Sequence, residues 1–266
     1  MNIYSFLQAV RDQKPLVHHI TNWVTIFDCA QVVKSFGASP VMAHAPEEAD
    51  AMSSLGSALV LNIGTLTTEV VDSMKLAAAA ANRKGIPIVL DVCGAGATAY
   101  RDRKCAEILD AAKIDVIKGN SSEIARIAGR AVETKGVDAG QVSADLREIV
   151  VSLSDKRACT VVMTGAEDIV AGQGKVFLVR NGHPMMANLV GTGCMATSVI
   201  GTFAGAMPGQ IQEAAAAGLA CYEIAAEQAV KKSEGPGTFK LHLFDCIYRL
   251  DERQIRAMQQ VSAAVS

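Results

Sequence analysis

The chain has 266 residues, of which 50% are hydrophobic and 20% charged, and its formal net charge at pH 7 is −2. This length allows one large domain with a substantial core, while the nearly neutral charge gives no electrostatic basis for binding nucleic acid or an anionic membrane surface. The seven cysteines are scattered, odd in number and never spaced as C-x-x-C, so neither a zinc site nor a disulfide framework is predicted, and a cytoplasmic setting is expected.

Short hydrophobic segments alternate with longer helical patterns, without a linker, a repeat or a low-complexity tract. In chain order the predicted elements are a helix over 22–36, an extended segment over 39–42, a helix opening at Pro46, a strand over 57–63, a helix over 68–84, a strand over 86–90, a helix over roughly 103–113, a strand over 115–117, a helix over 121–128, a strand over 159–163, a hairpin of 167–171 and 175–180, and a mostly helical remainder from Gly193 with a break at 235–237. Residues 181–212 lack charged side chains, but glycines, Asn188 and Pro208 interrupt them, so a buried core helix is predicted there and a membrane span is rejected.

Strands that are apolar throughout and alternate with helices indicate a mostly parallel sheet covered by helices on both faces. We therefore predict an α/β fold, one domain over residues 1–266, with a small antiparallel hairpin near 167–180. Polar residues come directly after three of the strands: Asp91, the segment Lys118-Gly119-Asn120, and the pair Thr164-Gly165. Because ligands of open α/β sheets bind outside the carboxyl ends of the strands, these segments are expected to converge on one site.

The stretch over 190–198, which reads V-G-T-G-C-M-A-T-S, is the predicted centre of that site. Gly191 and Gly193 allow a tight turn and a close approach of the backbone to a ligand. A helix that begins near Gly193 would offer N–H groups and its positive dipole end to an anion, and would stabilise the thiolate of Cys194 in its first turn. The same residues are equally consistent with a packed helix entrance that contains an ordinary buried cysteine.

Two carboxylates are candidate magnesium ligands. Asp91 ends an apolar strand, where it could hold Mg²⁺ directly or through water, or could instead cap the loop that follows. Glu123 comes three residues after Asn120, and Asn-x-x-Glu at the start of a helix is a variant of the capping box. For Glu123 both roles can hold together, with the carboxylate capping the helix while it faces a hydrated metal.

Three residues near the strand ends are candidate nucleotide contacts. Lys118 could pair with phosphates as a mobile point charge, or could be an ordinary surface lysine. Thr164 offers a hydroxyl, and Gly165 lets the backbone approach a phosphate or a base.

Other features of the sequence exclude several kinds of site. His18 and His19 are adjacent and cannot face the same way on an extended chain, which argues against a two-histidine metal site. Met42 is of a type that usually packs in the core. The sequence contains no G-x-x-x-x-G-K-[ST] loop, no G-x-G-x-x-G after the first strand and no G-x-S-x-G elbow.

The motifs of the chain resemble those of the hydroxyethylthiazole kinase family, whose members are thiamine-salvage enzymes of the ribokinase-like superfamily. The similarity runs from about Pro15 to Gly237, and the elements that carry it are His19-Ile20-Thr21-Asn22, Gly37-Ala38-Ser39-Pro40-Val41-Met42, Asn62-Ile63-Gly64-Thr65-Leu66, the Asp91 to Thr98 segment, Gly119-Asn120 with Glu123-Ile124, Val190-Gly191-Thr192-Gly193-Cys194, and Gly235-Pro236-Gly237. The resemblance implies a ribokinase-like fold and ATP-dependent phosphorylation of the hydroxyethyl group of 4-methyl-5-(2-hydroxyethyl)thiazole, with Mg²⁺.

The resemblance also implies roles on the nucleotide side of the site. Lys118 and Thr164 would contact ATP, and Asp91 and Glu123 would hold hydrated Mg²⁺ near the phosphates. We place Asn22 and Gly165 among the expected ATP contacts as well.

On the acceptor side, the resemblance implies that Met42 and Gly191 contact the thiazole. Cys194 would sit where related kinases place an aspartate base, so we expect it to accept or orient the proton of the alcohol. The family is trimeric, with the thiazole pocket shared between neighbouring subunits, and a homotrimer is therefore expected.

The chain departs from the family pattern at two points and leaves rival functions open. Val92-Cys93 stands where the family often has Pro-Val after the aspartate, and Lys118 replaces a common arginine, which gives up bidentate phosphate contact. The rivals are a kinase for another small alcohol such as hydroxymethylpyrimidine, a hydrolase or acyl-transfer enzyme with Cys194 as nucleophile and His183 as the only histidine nearby in sequence, and a ligand-binding protein without catalysis.

Overall fold

The computed structural model describes residues 1–130 and 146–265. It contains a nine-stranded sheet with helices on both faces. The strands are β1 (Leu16–Ile20), β2 (Ser39–Val41), β3 (Ala58–Asn62), β4 (Ile88–Asp91), β5 (Val116–Asn120), β6 (Thr160–Thr164), β7 (Asp168–Gly172), β8 (Lys175–Val179) and β9 (Val261–Val265). The helices are α1 (Ile3–Gln13), α2 (Ile26–Ser35), α3 (Pro46–Leu55), α4 (Thr68–Lys84), α5 (Ala99–Ala111), α6 (Ser121–Ile127), α7 (Leu146–Arg157), α8 (Thr192–Ala206), α9 (Ile211–Val230), α10 (Pro236–Arg249) and α11 (Glu252–Met258), with short 3-10 helices at Pro184–Asn188 and Pro208–Gln210.

The sheet is mostly parallel, as predicted. Its strand order is β2-β1-β3-β4-β5-β6-β7-β8-β9, and every pair from β2 to β6 is parallel. The predicted hairpin is β7 and β8, which continue the same sheet in antiparallel fashion beyond β6. β9 then pairs antiparallel with β8, a strand that the sequence patterns did not indicate.

Each face of the sheet carries its own hydrophobic core, because the central strands are buried on both sides. One core joins the sheet to α1, α2, α8, α9 and α10, and the other joins it to α4, α5, α6 and α7. α8 is almost entirely buried from Met195 onwards, which confirms a core helix there. Within the described ranges, no helix combines the length and hydropathy needed to cross a membrane.

Two predicted helix starts are wrong by four residues. α2 begins at Ile26 and not at Asn22, because the Asn22 Oδ1 accepts hydrogen bonds from the backbone N–H and the hydroxyl of Thr25 and holds the intervening residues in a turn. α5 begins at Ala99 and not near Arg103, because the hydroxyl oxygen of Thr98 accepts from Arg101 N and caps the helix earlier.

The adjacent histidines lie on β1 and their rings turn to opposite sides of the strand, as the spacing predicts. His18 binds Ser53 Oγ and the carbonyl oxygen of Ala43, both at 2.8 Å. His19 Nε2 lies 3.1 Å from Ser198 Oγ, and burial lowers the pKa of His19 to about 3. Both are therefore core residues with satisfied ring nitrogens.

Candidate active site

The carboxyl ends of the parallel strands bring the predicted polar residues to one edge of the sheet. The register places Asn62 beside Asp91, Asp91 beside Lys118, and Asn120 beside Thr164. Asp91 and Thr164 are the last residues of their strands, and Lys118 lies two residues before the end of β5. The strand pairing thus confirms that the three predicted segments lie at one edge of the sheet, where ligands of such sheets bind.

Asp91 is at the centre of a buried hydrogen-bond network. Its Oδ2 accepts from Asn62 Nδ2 at 2.9 Å and from Thr197 Oγ1 at 2.6 Å, and it lies 3.3 Å from Lys118 Nζ. Its Oδ1 is buried and has no hydrogen-bond partner in the part of the chain that the structure describes. One oxygen therefore anchors the carboxylate, and the other is available to a ligand.

Lys118 is not a surface lysine, because only 5% of its side chain is exposed. Burial alone would lower the pKa of its ammonium, but the negative charges of Asp91 and Glu123 outweigh that effect and raise the pKa above its ordinary value. A Cβ atom on Gly193 would lie 3.2 Å from Lys118 Nζ. A permanent positive charge therefore lies against the first turn of α8.

Glu123 does act as a capping residue. Asn120 Oδ1 accepts from Glu123 N at 2.9 Å, Glu123 Oε2 accepts from Asn120 N at 2.8 Å, and Oε1 accepts from Gly94 N at 2.7 Å. Burial, followed by the charge of Asp91, raises the pKa of Glu123. Since both of its oxygens are engaged by backbone N–H groups, Glu123 suits contact with a metal through water better than direct ligation.

The donor set at this edge fits a hydrated hard cation. Asp91 Oδ1 is an orphaned, buried carboxylate oxygen, and Glu123 is close enough to Asp91 for the charge of Asp91 to raise the pKa of Glu123. Among residues 1–130 and 146–265, no three His, Cys, Asp or Glu side chains cluster closely enough to enclose a metal. Mg²⁺ keeps several waters and uses one or two carboxylates, so such a sparse set is of the kind it prefers.

α8 begins at Thr192, with Gly191 as its N-cap, so Cys194 lies in the first turn as the glycine pattern predicts. Gly191 has φ +94°, and a Cβ atom there would lie only 2.5 Å from Thr25 Cγ2. Both the left-handed backbone and the close packing require glycine. The N–H groups of this first turn lack partners within the helix, so with Lys118 beside them they form a candidate site for an anion.

The thiol of Cys194 is half-buried and ionises readily. A hydrogen bond from Cys93 is the largest influence that lowers its pKa, Lys118 adds to it, and burial and Asp91 oppose it, with the result that the pKa is about 7. Asn22 Nδ2 also lies 3.3 Å from Cys194 Sγ. In the described ranges no histidine nitrogen hydrogen-bonds this sulfur, so the arrangement lacks the base that a cysteine nucleophile uses.

Asn22 ties the thiol to the carboxylate network. Its Nδ2 donates to Asn62 Oδ1 at 3.1 Å as well as to Cys194, and Asn62 in turn donates to Asp91. The contact of Asn22 with ATP stays a prediction. Sequence reasoning gave no role to Asn62, Thr197 or Cys93; a polar residue at the last position of β3, as at the end of β4, was the signal that could have identified Asn62.

A cleft of about 610 Å³ opens beside this network. Thr164 and Gly165 line it, together with Asn120 and the first turn of α8, and the cleft continues along residues 180–187. Gly165 N donates to Asp168 Oδ1 at 2.9 Å, which holds the turn after β6. The cleft is large enough for a small organic ligand whose anionic end lies at Gly193.

Met42 lies apart from these residues. It is half-buried and follows β2, the edge strand on the far side of β1 from β3, β4 and β5. Its contact with a substrate stays a prediction.

Comparison with known proteins gives a consistent result. Residues 7–253 match the model of the hydroxyethylthiazole kinase family. The chain is 51% identical over 255 residues to hydroxyethylthiazole kinase of Methanosarcina mazei, covering 96% of this chain and 97% of that one. The structure of a hydroxyethylthiazole kinase protein from Pyrococcus horikoshii OT3 has a TM-score of 0.90 and 38% identity, with 98% of each chain covered. A ribokinase-like superfamily protein from Enterococcus faecalis V583, at 14% identity and TM-score 0.64 over 90% of this chain and 88% of that one, shares the fold.

Proposed function

The chain belongs to the hydroxyethylthiazole kinase family, and from this premise we propose that it transfers the terminal phosphoryl group of ATP to the hydroxyethyl group of 4-methyl-5-(2-hydroxyethyl)thiazole, a step of thiamine salvage. The observation that carries the proposal is the arrangement of Lys118, Asp91 and Cys194 around the first turn of α8. These residues supply a cation, a metal-binding carboxylate and an ionisable thiol to the same place, which are the groups that phosphoryl transfer to an alcohol uses.

The residues of the chain bind and orient the nucleotide. The N–H groups at the start of α8 hold a phosphate, and the Lys118 ammonium offsets its charge because it is held protonated. Thr164 and Gly165 contact the nucleotide from the wall of the cleft, which their position supports. The Asp91–Lys118 pair keeps the ammonium in place before ATP arrives.

Asp91 and Glu123 hold hydrated Mg²⁺. The unpartnered Oδ1 of Asp91 supports direct or water-mediated contact, and the backbone bonds of Glu123 support contact through water. The ion, when bound, neutralises charge on the phosphates and helps to orient them.

Cys194 accepts or orients the proton of the attacking alcohol and forms no covalent intermediate. A pKa of about 7 makes its thiolate abundant at neutral pH, and such a base suits a loose transition state in which the proton leaves late. The Asn22 amide holds the sulfur in position. The thiazole itself contacts Gly191 and Met42.

The active sites lie between subunits of a homotrimer. Three apolar side chains next to Asn22, Thr25 and Gly191 support this, since Trp23 is 56% exposed, Val24 68% and Val190 69%. Another copy that covers them would remove apolar surface from water and enclose the thiazole pocket. Phe27, 71% exposed on α2, extends the same surface.

A coupled ADP-release assay with Mg-ATP tests the function. The thiazole alcohol should be turned over with a kcat/KM at least about tenfold above that of hydroxymethylpyrimidine. A preference for another alcohol would contradict the substrate, and thiazole binding without ADP release would contradict catalysis. A trapped acyl-enzyme on Cys194 would favour the hydrolase alternative.

Mixing inactive variants tests the shared site. Met42→Asp and Cys194→Ala chains, unfolded together and refolded, should form trimers that contain some intact sites and regain activity. The molar mass from light scattering should be three chains. A monomer, or mixed trimers without activity, would contradict a pocket shared between subunits.

A further inference from the structure

Two acidic side chains outside the proposed catalytic residues line the cleft. Asp168 begins β7 and Glu223 lies on α9, and they are only 3% and 7% exposed. Asp168 Oδ2 and Glu223 Oε2 have no hydrogen-bond partner elsewhere in the described residues. A Cβ atom on Gly182 would lie 3.7 Å from Glu223 Oε2, so Glu223 lies directly under the backbone of the cleft wall.

The two carboxyls lie within hydrogen-bond distance of each other, and two buried carboxyls this close favour a state in which only one is ionised. Burial raises the pKa of both, and the charge of Asp168 and a hydrogen bond to it raise that of Glu223 further, well above its ordinary value. Asp168 also accepts from Gly165 N, which favours its ionised form. We therefore assign the shared proton to Glu223: its O–H would donate to Asp168, and its other oxygen would act only as an acceptor.

The surroundings of this acceptor suit the base of a nucleotide and not its phosphates. The positive charge and the first turn of α8 lie at the Gly193 side of the cleft, whereas a negatively charged carboxyl pair repels phosphate. The cleft that Glu223 lines has several apolar residues in its wall, namely Pro184, Met186, Ala187, Ala196 and Tyr222. Arg180, a cation that also lines it, is paired with Glu167. Flat aromatic ligands fit such walls, and a few fixed polar groups determine which ligand binds.

The geometry points to Glu223 as a specificity-determining residue for the base, an inference that rests on the proposed function. Its free oxygen accepts a hydrogen bond from the 6-amino group of adenine. A 6-oxopurine would present an acceptor to the same oxygen, and the two would repel each other. Asp168 acts through Glu223, because it accepts the hydrogen bond from the acid O–H and so leaves the other oxygen of Glu223 to the base.

Binding of magnesium ADP and magnesium IDP, measured by calorimetry, tests this assignment without turnover. The wild-type chain should bind ADP at least about tenfold more tightly than IDP. This ratio is expected because ADP makes a neutral hydrogen bond with Glu223, whereas IDP places one acceptor against another. In Glu223→Gln the amide donates to Asp168 and its oxygen still accepts, so the preference should remain. In Glu223→Leu it should fall to about twofold or less, while Glu213→Gln on the same helix should match the wild type.

The outcomes separate this inference from the proposed function. A wild-type chain that binds neither nucleotide contradicts both. Tight ADP binding with an unchanged ADP preference in Glu223→Leu contradicts the inference alone. Equal weakening of ADP and IDP also contradicts it, because that result would indicate a contact with the ribose or a structural role. Thermal unfolding midpoints of the two Glu223 variants show that both are folded under the conditions of the titration.

Discussion

The buried ion pair between Lys118 and Asp91 gives a prediction with a definite size. Lys118→Met keeps most of the length and volume of the side chain, so it leaves little cavity. It also leaves the Asp91 carboxylate, 1% exposed, without its cation. Breaking one partner of a buried pair costs about 3–5 kcal/mol, and since Asn62 and Thr197 still donate to Asp91, we expect about 3 kcal/mol. For a chain of this size that lowers the unfolding midpoint by roughly 6–12 °C.

Far-UV circular dichroism in urea and on heating measures this change, and two further variants control it. Lys75→Met, the same substitution in the much more exposed pair with Asp72, should cost less than about 1 kcal/mol. Lys118→Met combined with Asp91→Asn removes both charges and should recover at least about 1 kcal/mol relative to the sum of the single variants. If Lys118→Met unfolds within about 2 °C of the wild type, or if the two single losses simply add, the pair does not stabilise the site as we describe.

Three other changes test separate parts of the site. Cys194→Ala should lose about two or more orders of magnitude in turnover while Cys194→Asp keeps useful activity, and an alanine variant as fast as wild type would remove Cys194 from the mechanism. If the deprotonated thiol is the base, kcat/KM of the wild type should rise with pH through about 7, and Cys194→Asp should lack this rise above pH of about 5. Gly191→Ala should destabilise the chain by about 2 kcal/mol or more, since it adds left-handed strain and a 2.5 Å contact with Thr25. Adding Thr25→Ala to this variant should restore only part of the stability, because it removes the contact and leaves the backbone strain. Full restoration would contradict the strain. Asp91→Asn should raise the Mg²⁺ concentration for half-maximal activity about tenfold or more, whereas an unchanged requirement would exclude Asp91 as a ligand.

Sequence signals that lie within a single helix or strand, such as helix caps, predicted that element well. α4 has the predicted bounds because the Thr67 hydroxyl accepts from Val70 N at its start and Gly85, at φ +77°, ends it. β1 was missed because His18 and His19 interrupt its apolar pattern. Their burial depends on partners such as Ser53 and Ser198, which are distant in sequence. β9 was missed for a similar reason, since only pairing with β8 makes a strand of residues 261–265.

Polar residues at strand ends and the glycines around Cys194 were the signals that predicted part of the candidate site. Asp91, Thr164 and Cys194 were expected together, and strand register and the start of α8 explain why. Asn22 was expected as an ATP contact, and its bond to Cys194 could not be predicted because the two residues are distant in sequence. Glu223 was not considered, because an acid in an alanine-rich helix looks solvent-exposed until α9 is packed against the sheet.

The pairing of β9 with β8 has a consequence for the newly made chain. Residues 261–265 leave the ribosome after every other strand of this sheet, so until then β8 presents a free edge of backbone N–H and C=O groups. Such an edge can recruit strands from other molecules. A chain that stops at Gln260 would keep this edge open permanently. The consequence of a late nonsense mutation would therefore be aggregation, although Asp91, Lys118 and Cys194 are all retained.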